Sequence, residues 1–343
     1  MRDTKVGRRL VEIDALRGLA ALAVVLFHYT THFTELFQPA TPPSLSFSGG
    51  QYGVNLFFII SGFVIFMTLE RTQRPTDFVV SRFSRLFPTY WVSIALTFSI
   101  THWLGLPGKL VGPGAALGNM LMLHGLFRIP HVDGVYWTLE VELLFYCGML
   151  LLYRLNLLDR IHHVLLGMLL LRFVYYGAAH WFGVDLPWTV YRLLILQFIP
   201  WFALGISIYL IVHARAERPR WPLVTAACAV LTLLVTDSVS SAVLAIVLAV
   251  LVFAAASGRS RWLCLPPLVW LGTISYPLYL LHENIGWSLQ LRLLSLGLPI
   301  DLTVVVALIF SLALAAMVTR WVERPAMRWI RGRYRQRPQR AAA

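Results

Sequence analysis

The amino-acid sequence predicts an all-α membrane protein, a polytopic bundle of about ten transmembrane helices. Hydrophobic residues make up 58% of the 343 residues and charged residues only 13%, about half the charged share of soluble domains. The mean hydropathy is +0.70. Apolar runs of bilayer-spanning length recur along the whole chain, separated by short polar gaps. A soluble chain of this length needs more polar surface than these residues supply.

Ten apolar segments account for most of the chain. Several are shorter than ~20 residues, which requires tilt or burial behind other helices. Residues 222–257 fit either one broken hairpin or two short spans. The predicted spans are 13–32, 53–69, 87–104, 139–153, 163–181, 193–212, 222–236, 242–257, 268–290 and 302–320.

Lysine and arginine predict the orientation of the bundle. Of the 29 such residues, 23 lie at the two ends and in alternate gaps, 4 lie in the remaining gaps, and Arg17 and Arg172 lie within spans. Because cytoplasmic loops are enriched in these residues, we expect both termini in the cytoplasm and an even number of spans. The same placement explains the net charge of +13 without nucleic acid. In the outside gap 105–138, the apolar piece 115–127 is expected to be re-entrant or interfacial.

Three regions follow from this pattern: a cytoplasmic segment 1–12, a membrane domain 13–325 and a basic cytoplasmic tail 326–343. The start resembles a signal peptide, but no small-residue cleavage site follows, so we expect it to be retained. The tail is expected to lie at the anionic inner leaflet and to be disordered. The three cysteines have the spacing of neither a metal site nor a disulfide framework, and no metal is predicted.

Ionisable residues in the first span are functional candidates, because a charge in lipid is costly. Arg17 and His28 are close to three helical turns apart, so they share a face at roughly 16 Å. Asp14 lies one turn from Arg17 and can pair with it. The alternative is structural: an arginine that reaches the interface, and a histidine that a neighbouring helix satisfies.

The fourth and ninth spans carry further polar residues. Glu140 and Glu142 point to nearly opposite faces of a helix, so only one of them faces a given site; the alternative is two carboxylates in water at the outer end. In the ninth span, Pro277 is expected to kink the helix. His282 follows it, and its alternative is a buried, hydrogen-bonded histidine.

Depth separates these residues into two levels. The topology places His28, Glu142 and His282 in the outer half of the bilayer. Arg17 falls near the inner face, where Arg82 and Arg85 are expected in a cytoplasmic loop. Basic groups near the inner face would then hold an anionic donor, and acid–base groups in the outer half would carry out the proton transfers.

Four stretches, in this order, carry a resemblance. They are Ile13–Gly18 with His28; Gly53–Phe63 followed by Arg82–Pro88; Trp137–Leu139 through Glu142, Phe145 and Tyr146; and Ile274–Tyr276 through Tyr279 and His282, with Glu323–Pro325 at the end. Together they resemble the acyltransferase-3 family, membrane enzymes that O-acylate carbohydrates, over about residues 10–325. Asn55 stands where Asp is frequent, Thr138 replaces the usual Ser, Glu140 is an extra carboxylate, and no fused esterase-like domain is expected.

The resemblance implies an O-acyltransferase of the bacterial inner membrane. The donor is expected to be cytoplasmic acyl-CoA, most simply acetyl-CoA, and the acceptor a carbohydrate or glycolipid hydroxyl. The resemblance implies three roles. The general base and the groups that assist it are His28, Glu142 and His282. The donor-binding residues are Arg17, Arg82 and Arg85, and the substrate-binding residues are Asp14, Trp137, Tyr146 and Tyr279.

Alternatives remain at this stage. A transporter or flippase of a glycan or small anion would use the same buried residues, and a structural or sensing subunit would tolerate loss of His28. Within the enzyme class, an antibiotic or a lipid is the alternative acceptor. Direct transfer and an acyl-enzyme are both open.

Overall fold

The computed structural model describes residues 10–213 and 220–336, and these residues form helices and turns without a β-strand. Residues 1–9, most of the predicted inside gap 213–221, and 337–343 of the predicted tail lie outside the described residues. Within the described ranges we number the longer helices α1 (Val11–Phe27), α2 (Gly53–Glu70), α3 (Pro75–Leu104), α4 (Trp137–Arg154), α5 (Ile161–Phe182), α6 (Ile199–His213), α7 (Arg220–Thr236), α8 (Val239–Ala256), α9 (Pro266–Leu281), α10 (Glu283–Ser295), α11 (Ile300–Val318) and α12 (Arg324–Arg335).

Every predicted span overlaps one of these helices, so the all-α fold class is confirmed. In the described part of the chain, six helical segments are long and apolar enough to cross a membrane. They contain α2, α4, α5, α6, α8 and α11, and their bounds are Ser48–Glu70, Gly134–Arg154, Leu158–Phe182, Trp188–His213, Val239–Ala256 and Ile300–Arg335. Helix α7 is apolar but shorter. These helices describe an integral membrane bundle, while the count of ten spans stays a prediction.

Apolar side chains also cover the outside of the bundle. Leu170 and Phe173 on α5, Leu231 on α7 and Val250 on α8 are all exposed. Such a surface is unfavourable in water and suits lipid tails. Residues 222–257 form two separate helices, and the Ser238 side chain accepts from the Ser241 backbone N–H at the start of the second.

Arg82 and Arg85 lie within helix α3 and not in the cytoplasmic loop that the sequence predicts. The helix begins at Pro75, and proline suits the first helical position because its missing N–H has no partner there in any case. Counted by helical rise, Arg82 and Arg85 lie about 10 and 15 Å along the helix from its start. A continuous helix therefore carries both arginines into the bundle.

The ninth predicted span is interrupted five residues beyond the expected kink. Helix α9 continues through Pro277, and the break falls at His282, which separates α9 from α10. The His282 Nδ1 lies 2.9 Å from the Tyr279 carbonyl oxygen, which it satisfies near the end of α9. Helix α1 likewise passes into a π-helical turn over His28–His32, a feature frequent at functional sites.

Two glycine contacts set the closest helix crossings. A Cβ on Gly18 of α1 would lie 2.5 Å from the Gly272 backbone nitrogen on α9. A Cβ on Gly62 of α2 would lie 2.3 Å from the Phe202 carbonyl oxygen on α6. Small residues let helix backbones approach closely in membranes. These crossings hold α1, α2, α6 and α9 together around the candidate site.

A buried arginine joins the peripheral helices. Arg172 on α5 donates to the Thr236 hydroxyl at 2.8 Å and to the Leu196 carbonyl at 3.2 Å, and it pairs with Asp237. Because its partners satisfy the guanidinium inside the protein, Arg172 has a structural role.

Candidate functional site

An inner cavity of about 60 Å³ lies where α1, α2, α3, α4 and α9 meet. Three arginines, Arg17, Arg82 and Arg85, line it together with one carboxylate, Glu142, and Tyr146. The Glu142 carboxylate accepts from the Ser61 hydroxyl at 3.1 Å and from the Tyr146 hydroxyl. Three guanidinium groups against one carboxylate leave the cavity net positive, which suits an anionic group.

The position of Glu142 differs from the prediction. The sequence placed Glu142 at the level of His28, as a group that orients the imidazole or binds sugar hydroxyls. In the fold, Glu142 shares its cavity with the arginines instead. Arg82 and Arg85 reach this cavity because α3 is helical from Pro75 onward, and Arg17 reaches it from α1. The prediction that Glu140 and Glu142 face different sites is confirmed, because Glu140 pairs with Arg192 at 3.2 Å.

An outer cavity of about 330 Å³ adjoins the inner one, and both cavities have Val54, Phe58 and Tyr279 in their walls. His28 lines the outer cavity with Trp137. Its other polar lining residues are Gln51, Tyr52, Asn55, Gln197 and Glu283.

The His28 imidazole is fixed by the backbone of its own helix. Its Nδ1 lies 2.8 Å from the Val24 carbonyl oxygen. A carbonyl can only accept, so we assign the proton to Nδ1, which leaves the Nε2 lone pair free. Nε2 lies 3.5 Å from Glu283 Oε2. This tautomer is the one a general base needs, provided that Nε2 meets the substrate.

His282 stands behind His28 and is fully buried. Its Nδ1 bonds to the Tyr279 carbonyl, so its Nε2 can accept, and it lies 3.2 Å from His28 Nδ1. The His28 Nδ1–H is thus shared between Val24 and His282. The two histidines, which the sequence places in the same half of the bilayer, are in contact, with His282 outside the outer cavity as a partner of His28.

Two buried carboxylates were missed from the sequence: Glu283, which lies beside His28, and Asp133, which bonds to the backbone next to Glu283. Glu283 is buried at the start of α10, and a Cβ on Gly134 would lie 2.2 Å from its Oε1. Asp133 accepts from the Asn284 backbone N–H at 3.1 Å. The rule that singled out His28, an ionisable residue in an apolar segment, applies equally to Glu283. Asp133 gave no such signal, because it lies in the long gap 105–138.

The remaining predicted residues divide between the levels. Trp137 and Tyr279 line the outer cavity, and Tyr279 shares a 2.8 Å hydrogen bond with the Thr138 hydroxyl. Tyr146 lies with the arginines in the inner cavity. Asp14 lies at the inner end of the bundle, in a third cavity that Arg85 also lines.

A separate polar cluster lies on the outer side, near the Glu140–Arg192 pair. The His124 Nε2 and His131 Nδ1 are 2.6 Å apart and share one hydrogen bond. Burial, together with His131 and Arg192, lowers the pKa of His124 to about 4. His124 therefore stays neutral near neutral pH, and the cluster anchors the loop onto α4. Within residues 10–213 and 220–336, no three His, Cys, Asp or Glu side chains are placed to share a metal ion.

Comparisons with known proteins identify the family of the chain. The family model Acyl_transf_3, described as an acyltransferase domain, matches residues 10–321. The chain belongs to the acyltransferase-3 family. The family resemblance predicted from the four stretches is therefore confirmed.

Relatives of this acyltransferase-3 protein include an exopolysaccharide production protein, ExoZ, of Rhizobium meliloti. It is 27% identical over 329 residues, which cover 88% of this chain and 96% of ExoZ. The putative membrane-bound transacylase BcsY of Komagataeibacter xylinus is 26% identical, over 79% of this chain and 71% of BcsY. The peptidoglycan O-acetyltransferase OatA of Listeria monocytogenes is 32% identical over 28% of this chain and 14% of OatA. No solved structure matches the chain.

This acyltransferase-3 protein is therefore an integral membrane O-acyltransferase. Family membership favours the enzyme over the transporter and the structural subunit.

Proposed function

We propose that the protein transfers an acyl group, most simply acetyl, from acyl-CoA to a hydroxyl of a polysaccharide or its precursor. The observation that carries this proposal is the stacking of two cavities along the bundle. A cation-lined cavity at the level of Arg17 adjoins a cavity that presents the His28 imidazole, and Tyr279 lines both. An anionic donor and a hydroxyl acceptor would meet at this shared wall.

The donor enters from the end of the bundle that the basic residues assign to the cytoplasm. Arg17, Arg82 and Arg85 hold its diphosphate, because guanidinium forks match phosphate oxygens. Glu142 lines the same cavity and partly balances the positive charge of the arginines. The pantetheine arm then covers the distance to His28, roughly 16 Å by the helical rise from Arg17.

His28 acts as the general base in direct transfer. Its Nε2 takes the proton of the acceptor hydroxyl as the hydroxyl oxygen attacks the thioester carbon. The carbon–sulfur bond then breaks, and the leaving thiolate receives the proton back from Nε2. The imidazolium between these steps is stabilised by the Glu283 carboxylate on one side and by His282 on the other.

The acceptor occupies the outer cavity. The carboxamides of Gln51, Asn55 and Gln197 each donate and accept hydrogen bonds, as sugar hydroxyls do. Trp137 offers an aromatic face to the apolar side of a sugar ring. The names of the relatives ExoZ and OatA, an exopolysaccharide protein and a peptidoglycan O-acetyltransferase, support a carbohydrate acceptor.

We place the protein in the bacterial inner membrane, with ten spans and both termini in the cytoplasm. The basis is the distribution of lysine and arginine along the sequence. With this orientation the inner cavity faces the cytoplasmic acyl-CoA pool, and the outer cavity lies toward the side where surface polysaccharides are assembled.

The proposal is tested with purified protein in lipid nanodiscs, labelled acetyl-CoA and a deacetylated bacterial exopolysaccharide. Label should pass to the polysaccharide in an alkali-labile ester, with release of one CoA thiol per ester. Glycan that crosses vesicle membranes without thiol release would instead identify a transporter. Transfer to a lipid or an antibiotic, with none to any polysaccharide, would keep the enzyme and replace its acceptor.

A further inference from the structure

The C-terminal helix α12 is docked on the bundle by specific contacts. Arg331 Nε donates to the Ser84 hydroxyl at 3.0 Å, and its Nη2 donates to the Ser81 carbonyl at 3.2 Å. Tyr334 donates to the Asp77 carboxylate at 2.8 Å. All three partners lie on the first turns of α3, the helix that carries Arg82 and Arg85. Within Arg324–Arg335, the predicted tail is therefore a fixed element of the fold, and the expectation of disorder is wrong for it.

Two cavities flank this helix. One, of about 490 Å³, has Arg85, Arg324 and Arg331 in its lining, with Asp14 and Glu323 as its acidic residues. The other, of about 950 Å³, is an open groove whose described lining residues all lie within 320–335. These described residues include no acidic side chain and five arginines: Arg320, Arg324, Arg328, Arg331 and Arg335. Arg324 and Arg331 line both cavities.

Arg85 connects this region to the donor site, because it lines both the inner cavity and the cavity beside α12. A ligand held at α12 therefore lies next to the cation-lined entrance already assigned to the donor. A cavity lined by five arginines, with no carboxylate among its described lining residues, attracts a group with several negative charges. The planar guanidinium groups select phosphate in particular.

We propose that α12 binds the 3′-phosphorylated nucleotide end of the acyl-CoA donor, with Arg324 and Arg331 as its main phosphate ligands. This assignment rests on the proposed function, in which acyl-CoA is the donor. It divides the donor between two sites: α12 holds the nucleotide, and Arg17, Arg82 and Arg85 hold the diphosphate. The helix thus sets specificity for a full-length CoA donor over a shorter thioester.

The test compares acetyl-CoA with acetyl-pantetheine, which lacks the nucleotide. Arg324→Ala is the variant of choice, because the Arg324 side chain is exposed, whereas Arg331 also ties α12 to α3. The kcat/KM for acetyl-CoA should fall roughly 10- to 100-fold, the worth of one charged hydrogen bond. The kcat/KM for acetyl-pantetheine should stay unchanged. The control is Arg333→Ala, an exposed arginine of the same helix that lines neither cavity.

Several outcomes would overturn the assignment. An equal loss with both donors would give Arg324 a structural role. Arg324→Ala could also leave the kcat/KM for acetyl-CoA unchanged and lose activity only in vesicles rich in anionic lipid. That result would show that α12 binds lipid headgroups and not the nucleotide. If Arg333→Ala shows the same loss of kcat/KM for acetyl-CoA, the loss comes from the lower net charge of α12 and not from a phosphate contact of Arg324.

A binding measurement separates this inference from the proposed function. Calorimetry with 3′-phospho-ADP and with ADP should show tighter binding of the 3′-phosphorylated probe, and Arg324→Ala should remove the difference. Binding of the probe without any acyl transfer would support the nucleotide site while the proposed function fails. Acyl transfer from acetyl-CoA, with no binding of 3′-phospho-ADP, would refute the nucleotide site alone.

Discussion

Glu283→Gln tests the environment of the proposed base. At the 3.5 Å that separates Glu283 Oε2 from His28 Nε2, an effective dielectric constant of about 20 gives roughly 5 kcal/mol of attraction between carboxylate and imidazolium as an upper limit. The substitution removes this attraction and leaves the shape of the side chain nearly unchanged. The new carboxamide also places an N–H donor near the Nε2 lone pair, which competes with the acceptor hydroxyl.

Both effects lower the rate of the chemical step. We expect kcat to fall about 10- to 1,000-fold, less than the Coulomb limit because the protein relaxes around the neutral side chain. The KM for acyl-CoA should stay within about twofold, because the donor cavity is lined by other residues.

The assay is single-turnover transfer from saturating labelled acetyl-CoA, with thermal unfolding of the same sample as a check of folding. Glu140→Gln is the matched control, because Glu140 is equally buried but pairs with Arg192 away from both cavities. That variant should be less stable than the wild type, but its transfer rate per folded molecule should be unchanged. Wild-type kcat in Glu283→Gln would refute the idea that the carboxylate stabilises the imidazolium.

Three further predictions follow from the donor site, the packing and the topology. Arg85→Ala should weaken acyl-CoA binding roughly 10- to 100-fold in calorimetry without loss of folded protein; unchanged affinity would remove Arg85 from the donor site. Gly62→Ala should lower stability by about 1–3 kcal/mol in thermal unfolding, because its Cβ would meet the Phe202 carbonyl at 2.3 Å. Gly167→Ala, which meets open space, is its control, and equal stability of the two variants would contradict the crossing. A reporter fused after the C-terminus should read cytoplasmic, whereas a periplasmic signal would mean an odd number of spans.

The fold class was predictable because a bilayer permits few solutions. Backbone groups in lipid must bond within a helix, so apolar length alone predicts where helices run. The ends of helices were harder to predict, because local contacts decide them. At His282 a side chain satisfies a carbonyl and the helix stops, whereas at Pro277 the helix continues.

Predictions of the candidate site succeeded within one helix and were less accurate between helices. Arg17 and His28 lie at the two levels that their spacing on α1 implies. Arg82 and Arg85 share a cavity with Glu142 because α3 begins earlier than hydropathy showed: its charged first turns have no apolar signal, yet they are helical. Relative depth between helices depends on tertiary packing, which a single sequence does not reveal.

Glu283 illustrates a different limit. The sequence shows an acidic residue directly after His282, but adjacent residues on one helix point in different directions. The break between α9 and α10 changes those directions, so that Glu283 faces His28 Nε2 and His282 faces His28 Nδ1. Only the folded chain shows that both residues contact the same imidazole.

The most direct measurement of the central claim is the transfer rate of His28→Gln beside that of His28→Ala, each in nanodiscs with saturating acetyl-CoA. Both variants should bind acyl-CoA with wild-type affinity, because His28 lines the outer cavity and not the inner one. Both should lose transfer by a factor on the order of 100 to 10,000, the usual worth of a positioned base. The carboxamide keeps hydrogen bonds but cannot take the proton. Near-normal transfer in His28→Gln would contradict the account and make His28 a structural hydrogen-bonding residue.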